Sequence, residues 1–513
     1  MLKSIGLDNF KSFYHLNTTS IKPITILCGT NSSGKSSVIK SLLALKQSWE
    51  SDHSLNSLAL NGKYTKNGKY IDVNHMKIGN KIRFENNFQV SYGPTTAKNQ
   101  RDNFSLILLN KIFSKSEISK DKKIDRRYSK FDIQYIAEFD SANNHNIHIR
   151  GNNDSILTKI EVKIEFIYRK KKIKTLTLEL KFNGGNNRFG YSLKYSNMPT
   201  SRGYLDDTFK QVNCFFSGLQ LTNITDLGKD DDRFYTVLPS ILTIFQVIGE
   251  QYSSISYIGP LREEPKRMYI FDEAVEGVGV KGEFAPMVYT SSDFRIYQMP
   301  SASPKDFLNF SYQDISFQEA VNYWLNYLDI DQVEIGKNEE IIRLLMENGI
   351  KDGVNIADVG FGISQTFPII VEALRISKGS TLMLEQPEIH LHPKMQMKLA
   401  DFFIAMCNFD RKLIVETHSD HMINRLVRRI MEDETQSLKE MIGIYYITQN
   451  ENKSLINEIE IDPVLGIVDW PKDFFDQYTD ETDLIMKTGF KNNKKIIEKK
   501  LASSVENTTC RED

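Results

Sequence analysis

Residues 23–48 read PITILCGTNSSGKSSVIKSLLALKQS and join two apolar patterns through a glycine-rich turn. The apolar run 24–28 predicts a short buried strand, and the apolar residues in 38–45 recur at helical spacing. Between them, Gly29 to Ser36 match G-x-x-x-x-G-K-[ST], the phosphate-binding P-loop. Because the motif stands between a strand and a helix, its context agrees with its sequence. The segment therefore predicts an α/β fold with a nucleotide site at this turn.

The residue types of the loop explain how it would bind phosphate. Glycines allow backbone N–H groups to point inward, and the helix N-terminus adds partial positive charge. Lys35 is expected to reach the β and γ phosphates of ATP, and the Ser36 hydroxyl to hold Mg²⁺. We predict that the nucleotide contacts Gly29, Asn31, Ser32, Ser33, Gly34, Lys35, Ser36 and Ser37.

A second segment, TLMLEQPEIHLHP (381–393), supplies an acidic partner for the P-loop. The stretch TLML, which is largely apolar, leads directly into Glu385. This pattern predicts a buried strand that ends in a carboxylate. A P-loop needs an acid from a neighbouring strand to complete its Mg²⁺ site. We therefore expect Glu385 to hold Mg²⁺ with Ser36, directly or through water.

Two further turns have sequences that suit a ligand site. DVGFGISQ (358–365) is a glycine-rich turn that opens an apolar helix, again a phosphate-binding geometry. KLIVE (412–416) predicts another buried strand, and His418 follows it. A histidine just past the carboxyl end of a strand is positioned to contact a ligand. The alternative is a packed core histidine, which spacing alone favours.

Composition places the chain among ordinary globular proteins. It has 513 residues, enough for two or three domains, with 40% hydrophobic and 26% charged residues. Its net charge of −1 supplies no global attraction to nucleic acid or membrane, and no apolar run is long enough for a transmembrane helix. The N-terminus does not read as a signal peptide. A cytoplasmic protein without disulfides is expected, because no CxxC pair joins its cysteines, Cys28, Cys214, Cys407 and Cys510.

The order of these pieces resembles the ATP-binding-cassette (ABC) ATPase heads of the RecF, SMC and OLD superfamily, over about residues 1–50 and 255–480. Five segments look more narrowly like bacterial ATPases that carry a C-terminal domain of unknown function, several of which act in anti-phage defence. These segments are YIGPLREEPKRMY (257–269), GVKGEFAP (279–286), EQPEIHLHP (385–393), ETHSDHMINRL (416–426) and VDWPKDFFDQ (468–477).

The resemblance implies a role for each motif. Gly29 to Ser36 would be Walker A and Glu385 the Walker B acid. His418 would be the switch histidine. The signature turn, which in such heads contacts the γ-phosphate bound to the other subunit, would consist of Gly362, Ser364 and Gln365. ATP and Mg²⁺ would then lie between two heads of a homodimer or higher oligomer. Gln47 lies too close to the P-loop to be assigned as the Q-loop glutamine.

One residue departs from the family pattern. Where related heads have two consecutive acids, this chain has Glu385 followed by Gln386. A glutamine can orient water but cannot accept its proton, although Glu388 follows two residues later. Because a general base contributes about 10² to 10⁴-fold, we predict slow hydrolysis. The residues predicted to act in catalysis are Lys35, Glu385, Gln386, Glu388 and His418.

The resemblance implies an ABC-type α/β P-loop head with an inserted, β-rich subdomain. Residues 1–50 and 256–480 would form the head, 51–255 the insertion, and 481–513 a polar tail. Within the insertion, 156–184 predicts paired strands with a basic turn at 169–172. This turn could touch DNA together with the upstream Lys122, Lys123, Arg126 and Arg127, but a solvated hairpin tip is favoured.

Three functions remain open for the chain. The first is an ATPase that controls a separate effector, a nuclease or toxin, because the chain shows no nuclease motif of its own. The second is a RecF-like DNA repair clamp, and the third a non-hydrolysing ATP-bound scaffold. A transporter ATPase fits less well, since the head is split and GISQ replaces LSGGQ. A zinc site is a weaker alternative use of the clustered histidines, His390, His392, His418 and His421.

Overall fold

The structure, a computed structural model, describes most of the chain. The described residues are 1–52, 56–91, 129–145, 147, 154–168, 170–184, 189–200, 203–228, 232–270, 275–292, 295–303, 306–338, 341–346, 353–359, 362–469, 471 and 477–509. Some residues singled out in the sequence lie outside these ranges, namely Lys122, Lys123, Arg126, Arg127, Arg169 and Cys510.

Strands dominate the first half of the chain. They are β1 (Leu2–Phe10), β2 (Phe13–Ser20), β3 (Ile24–Gly29), β4 (Ile82–Ser91), β5 (Ser129–Ser141), β6 (Ser155–Tyr168), β7 (Lys171–Phe182), β8 (Gly190–Thr200), β9 (Gly203–Ser217), β10 (Gln220–Asp226), β11 (Ile255–Ile258) and β12 (Tyr269–Ile270). The later strands are β13 (Arg295–Ser303), β14 (Asp306–Ser316), β15 (Val333–Asn338), β16 (Ile341–Met346), β17 (Val354–Asn355), β18 (Thr381–Glu385), β19 (Lys412–Glu416), β20 (Ile442–Asn450), β21 (Lys453–Glu458), β22 (Ile461–Asp462) and β23 (Gly466–Ile467).

Helices are concentrated in the second half. They are α1 (Lys35–Trp49), α2 (Tyr70–Val73), α3 (Asp232–Ser253), α4 (Ala285–Ser291), α5 (Phe317–Tyr327), α6 (Gly362–Arg375), α7 (Pro393–Asn408), α8 (Asp420–Glu432), α9 (Ser437–Met441) and α10 (Gln477–Thr509). Short 3₁₀ segments cover His75–Lys77, Ala142–His145 and Ile356–Asp358. No helix among the described residues combines the length and apolar character needed to span a membrane.

A six-stranded sheet carries the P-loop. Its strand order is β11-β18-β19-β3-β20-β21, and the first five strands run parallel. Every residue of β18 and β19 is buried, which explains their continuous apolar sequences, since parallel strands are covered on both faces. The carboxyl ends of parallel strands meet at one edge, so the P-loop, Glu385 and the turn after β19 lie side by side there. The predicted α/β class is confirmed.

Alternate residues of these strands enter two separate hydrophobic cores. Leu27 and Met383 pack into a core with α1 and a second, larger sheet. Ile26, Leu382 and Leu384 pack on the other face, against a core that contains residues of α5, α6, α7 and α8. The side-chain period of two therefore makes the parallel sheet the middle layer between two cores.

The inserted region does not build a sheet of its own. Its strands belong to a nine-stranded antiparallel sheet with the order β10-β9-β8-β7-β6-β5-β4-β1-β2, in which β1 pairs directly with β4. The sheet thus crosses the boundary drawn at residue 50. The predicted pairing within 156–184 is confirmed, because β6 and β7 form a hairpin in which Tyr168 lies opposite Lys171.

The C-terminal helix is longer than the sequence suggested. The lysine-rich stretch near residue 494 predicts a short helix, whereas α10 extends over 33 residues. Its described side chains, from 481 to 497, are almost all exposed, and Phe490 reaches 75% exposure. These side chains therefore add little to either core.

A buried ion cluster joins α7 to α8. Asp401 is 0% exposed and accepts hydrogen bonds from Arg425 Nη2 at 2.7 Å, Arg429 Nε at 2.8 Å and the Tyr327 hydroxyl at 2.7 Å. Two guanidinium groups converge on one carboxylate that is withdrawn from water. Asp401 thus links α7 to α8 and to the end of α5 through buried hydrogen bonds.

Asp401→Ala is therefore expected to lower the free energy of unfolding by about 3–5 kcal/mol, because both arginines lose their buried partner. Urea denaturation followed by circular dichroism measures this change. The exposed Asp331 provides the control, since Asp331→Ala should shift stability by no more than about 0.5 kcal/mol. Equal effects of the two substitutions would contradict the role given to Asp401.

Candidate functional site

The P-loop needs glycine at two positions. Gly29 has φ 141° and Gly34 has φ 111°, a region that residues with a Cβ rarely adopt. A Cβ on Gly34 would lie 2.5 Å from the hydroxyl oxygens of Ser12 and Ser454. Gly34 also precedes the first residue of α1, whose opening N–H groups have no partner within the helix. The loop therefore leads directly into a helix N-terminus, the kind of helix end that binds phosphate.

Two serines support the loop from behind. The Ser454 hydroxyl donates to the carbonyl of Ser33 at 2.5 Å, and the Ser454 backbone N–H donates to the carbonyl of Ser12 at 2.9 Å. Ser33 is buried, whereas Asn31 and Ser32 are exposed at the tip. This support could not be predicted from the sequence, because Ser454 lies 421 positions from Ser33 and no motif marks it.

Lys35 closes the loop on itself in this conformation. Its ammonium group donates to the carbonyls of Gly29 at 3.0 Å and Thr30 at 2.7 Å. Burial lowers the pKa of Lys35, and the nearby charge of Glu416 opposes that shift. A phosphate oxygen would offer the ammonium group a charged acceptor in place of two neutral ones.

Two carboxylates stand beside Ser36. Glu385 and Glu416 end the adjacent strands β18 and β19 and lie opposite each other in register. The Ser36 hydroxyl donates to Glu416 Oε1 at 2.8 Å, and Glu416 Oε2 is buried without a hydrogen-bond partner. Glu416 was not predicted as a site residue. The signal available was that it ends a strand two residues before His418.

Burial perturbs both carboxyl groups. It raises the pKa of Glu385, although the hydrogen bond from Tyr257 opposes the change. Burial, followed by the charge of Glu385, raises the pKa of Glu416 to about 7. Two acids so close together and so well buried favour a cation between them or a proton on one of them. A hydroxyl and carboxylate oxygens are the donors that Mg²⁺ prefers, so these residues fit that ion.

A segment just after β11 fixes the end of β18. The Tyr257 hydroxyl donates to Glu385 Oε1 at 2.8 Å. Arg262, only 8% exposed, donates to the carbonyl of Glu385 at 2.9 Å and to that of Gln386 at 2.8 Å. From the sequence alone, Arg262 is a candidate contact to nucleotide or to the opposite subunit, with a surface salt bridge to Glu263 or Glu264 as the alternative. Its structural partners are instead the backbone at the acidic strand end.

The turn after β18 has an unusual backbone at Gln386. This residue has φ 46°, and its N–H donates to the carbonyl of Glu416 at 2.7 Å. Glu388 turns toward the next strand, where its Oε1 accepts from the backbone N–H of His418 at 2.7 Å. Burial raises the pKa of Glu388, and that N–H opposes the shift. Glu388 thus ties the two turns together, and its role as a base stays a prediction.

His418 lies at the open edge of the sheet. His418 counts as exposed, although part of its ring is withdrawn from water. That partial burial, followed by the charge of Lys35, lowers the pKa of His418. His392 caps the N-terminus of α7 by accepting from Lys394 N–H at 3.3 Å. Among the described residues, no group of three or more His, Cys, Asp or Glu side chains is arranged to hold a metal ion.

The predicted signature turn forms the start of α6. Ser364 and Gln365 are each only 6% exposed. Gln365 Oε1 accepts from Arg262 Nη1 at 3.4 Å, which connects the start of α6 to the turn at Gln386. Gln47 lies elsewhere, in α1, where its side chain hydrogen-bonds to the backbone of Ala59 and Thr65.

Strand order and site together define a class of protein. The P-loop strand β3 and the acidic strand β18 are separated by β19, and these parallel strands end at the same edge of the sheet. This is a P-loop nucleotide-binding head of the ATPase class. The chain belongs to the family described as "AAA domain, putative AbiEii toxin, Type IV TA system", whose model matches residues 24–424. The predicted resemblance to P-loop ATPases is confirmed at the level of this AAA family.

Comparison with other proteins gives distant likenesses. No curated protein matches the chain. An SMC head bound to the C-terminal winged-helix domain of ScpA is 10% identical, with a TM-score of 0.38, and the match covers 90% of this chain and 98% of that one. The SMC head domain from Thermotoga maritima is 13% identical, with a TM-score of 0.35, and the match covers 90% of this chain and 99% of that one. A third structure is an SMC head with an extended coiled coil, bound to the C-terminal domain of ScpA derived from Pyrococcus furiosus. It is 9% identical, with a TM-score of 0.33, and the match covers 90% of this chain and 96% of that one.

The pKa of Glu416 predicts how stability depends on pH. Its value of about 7 in the folded protein exceeds the ordinary 4.5, so the folded state binds more protons between these pH values. Stability should therefore fall as pH rises from about 4.5 to 7. Glu416→Gln should remove this loss and, with EDTA present, melt at a higher temperature than the wild type at pH 8.

The buried Glu85 provides a matched contrast. Burial raises its pKa, but hydrogen bonds from Gln134 and Arg83 outweigh that effect and lower it overall. Glu85→Gln should therefore melt below the wild type at pH 8. Melting curves of the three proteins at pH 5 and pH 8 test the sign, and a wild-type pH slope that Glu416→Gln leaves unchanged would contradict it.

Proposed function

We propose that the chain binds ATP with Mg²⁺, hydrolyses it slowly, and uses the nucleotide state to control a separate effector protein. The observation that carries the proposal is the edge of the parallel sheet. There Ser36 of the P-loop donates to Glu416, and Glu416 lies opposite Glu385 on the neighbouring strand. Lys35 precedes Ser36 in the same loop. Loop N–H groups and Lys35 would take the phosphates, and Ser36 with Glu385 would hold Mg²⁺. Bound Mg²⁺ would neutralise charge that develops on the phosphates.

Gln386 sets the expected rate. Its amide can hold a water molecule in line with the γ-phosphate but cannot take the proton. Glu388 is the next acid after Gln386 in the sequence, yet its carboxylate accepts from the backbone N–H of His418. Phosphoryl transfer demands little from a base, so positioning and charge neutralisation would sustain a slow reaction. The exposed His418, close to Lys35, is positioned to contact the γ-phosphate.

Two heads would enclose the nucleotide. In this arrangement Ser364 and Gln365 of one subunit meet the γ-phosphate held by the other. Both side chains are buried within their own chain, so α6 must shift for that contact to form. Closure on ATP and reopening after hydrolysis would make the nucleotide a population switch.

The output would be a nuclease or toxin on another chain, in bacterial anti-phage defence. The family description supports a toxin–antitoxin setting, because it names a toxin and a Type IV TA system. A DNA clamp has less support, since Lys172 of the basic hairpin is paired with Glu165 at 2.6 Å. A non-hydrolysing scaffold is the outcome in which Gln386 stops turnover altogether.

Steady-state phosphate release tests the proposal. The wild type should turn over below roughly 10 s⁻¹, the median for enzymes. Lys35→Ala should abolish turnover. Gln386→Glu should accelerate it by about 10²-fold, because a base then faces the attacking water. Equal rates for wild type and Lys35→Ala would contradict the ATPase proposal.

Arg262 predicts a positioning effect on the same reaction. Its fork spans the carbonyls of Glu385 and Gln386 and the side chain of Gln365, and a lysine ammonium cannot reproduce that geometry. Arg262→Lys should lower kcat by about 10-fold or more while ATP affinity stays near the wild-type value, in line with outer-shell substitutions elsewhere.

The exposed Arg267, paired with Asp358, is the control for this substitution. Arg267→Lys should leave kcat within about twofold of the wild type, because an exposed ion pair contributes little. A loss of ATP affinity in Arg262→Lys, with kcat unchanged, would show that Arg262 acts on nucleotide binding instead.

A further inference from the structure

Glu416 has an unused carboxylate oxygen at the centre of the nucleotide site. Oε1 accepts from the Ser36 hydroxyl at 2.8 Å, whereas Oε2 is buried and has no hydrogen-bond partner. The residue is 4% exposed, so water cannot readily satisfy that oxygen. A buried polar atom without a partner is costly and calls for a ligand or a functional explanation.

The hydrogen bond to Ser36 does not explain the charge. A glutamine at position 416 would accept the same hydrogen bond through its amide oxygen, without the cost of burying a carboxylate. Within the described part of the chain, no cation of the protein lies within ion-pair distance of Glu416. The nearby Lys35 donates instead to the carbonyls of Gly29 and Thr30. The negative charge is therefore unmatched by the protein itself.

The position of Glu416 indicates which cation would match it. Its Cα pairs with that of Glu385 across the β18–β19 ladder, and adjacent parallel strands direct such paired residues to the same face. Ser36, the P-loop residue expected to hold Mg²⁺, is already in contact with it. A hydroxyl, two carboxylates and phosphate oxygens form a hard oxygen donor set, which suits Mg²⁺ or Mn²⁺.

We infer that Glu416 is a protein ligand of the nucleotide-bound divalent cation, beside Ser36 and Glu385. The inference rests on the proposed function and extends it, because it assigns the cation a second carboxylate from the strand that lies between the P-loop strand and β18. Binding of the cation would occupy the free Oε2 and neutralise both buried acids. Metal affinity would then depend on Glu416 more strongly than nucleotide affinity does.

The test separates metal binding from nucleotide binding. A fluorescent, non-hydrolysable ATP analogue is titrated in EDTA to give Kd without metal. In a second sample without EDTA, Mn²⁺ is titrated into the protein–analogue complex, and free Mn²⁺ is followed by electron paramagnetic resonance. Glu416→Gln should leave Kd in EDTA within about twofold and raise the Mn²⁺ half-saturation by about 10 to 100-fold, the scale of losing a metal-site carboxylate.

Two further variants guard the interpretation. Glu416→Asp keeps the charge and should recover part of the Mn²⁺ affinity, which a purely structural role would not explain. Glu85→Gln, another buried glutamate, lies in the nine-stranded sheet and should leave Mn²⁺ half-saturation unchanged. Melting curves confirm that each variant is folded at the assay temperature.

The outcomes are distinguishable. An unchanged Mn²⁺ half-saturation in Glu416→Gln, with nucleotide binding intact, overturns the assignment of Glu416 alone. A wild type that fails to bind the analogue, or a Lys35→Ala variant that binds it equally well, overturns the proposed function and this inference together. Loss of analogue binding in EDTA by Glu416→Gln would assign Glu416 to the P-loop conformation and overturn its role as a ligand.

Discussion

Three parallel strands, β18, β19 and β3, end at one edge of the central sheet, and a hydrogen bond from Ser36 to Glu416 joins the last two at that edge. In-register pairing brings Glu385 level with Glu416, and the P-loop follows the third strand directly. Segments from residue 29 to residue 416 are thereby held within hydrogen-bond reach of one another. Hydrophobic cores cover the sheet on both faces.

The site is built at a cost to folding stability. Burial raises the pKa of both Glu385 and Glu416, and Arg262 is buried against the carbonyl groups of Glu385 and Gln386. Such groups are tolerated where a ligand or a moving element uses them. Arg262 also donates a hydrogen bond to the side chain of Gln365. A shift of α6 would therefore move a group that contacts the acidic end of β18. The same guanidinium thus connects the element that would close a dimer with the turn that carries Gln386.

Local patterns predicted the parts of the site that are continuous in sequence. The P-loop between a strand and a helix, the acidic strand and the histidine strand all follow from short-range apolar spacing and glycine placement. The contacts of Glu416, Ser454 and Arg262 could not be predicted, because each depends on strand pairing across long sequence separations. The nine-stranded sheet was hidden for the same reason. Nothing in residues 51–255 indicates that β4 pairs with β1.

The structure of the chain with a non-hydrolysable ATP analogue and Mg²⁺ tests the central claim most directly. The account predicts phosphates cradled by residues 29–36, with Lys35 released from its two carbonyl partners. It also predicts the metal about 2.1 Å from the Ser36 hydroxyl, with Glu385 and Glu416 directed toward it. A nucleotide bound away from the P-loop, or a metal held without any contribution from Ser36 and these two acids, would contradict it.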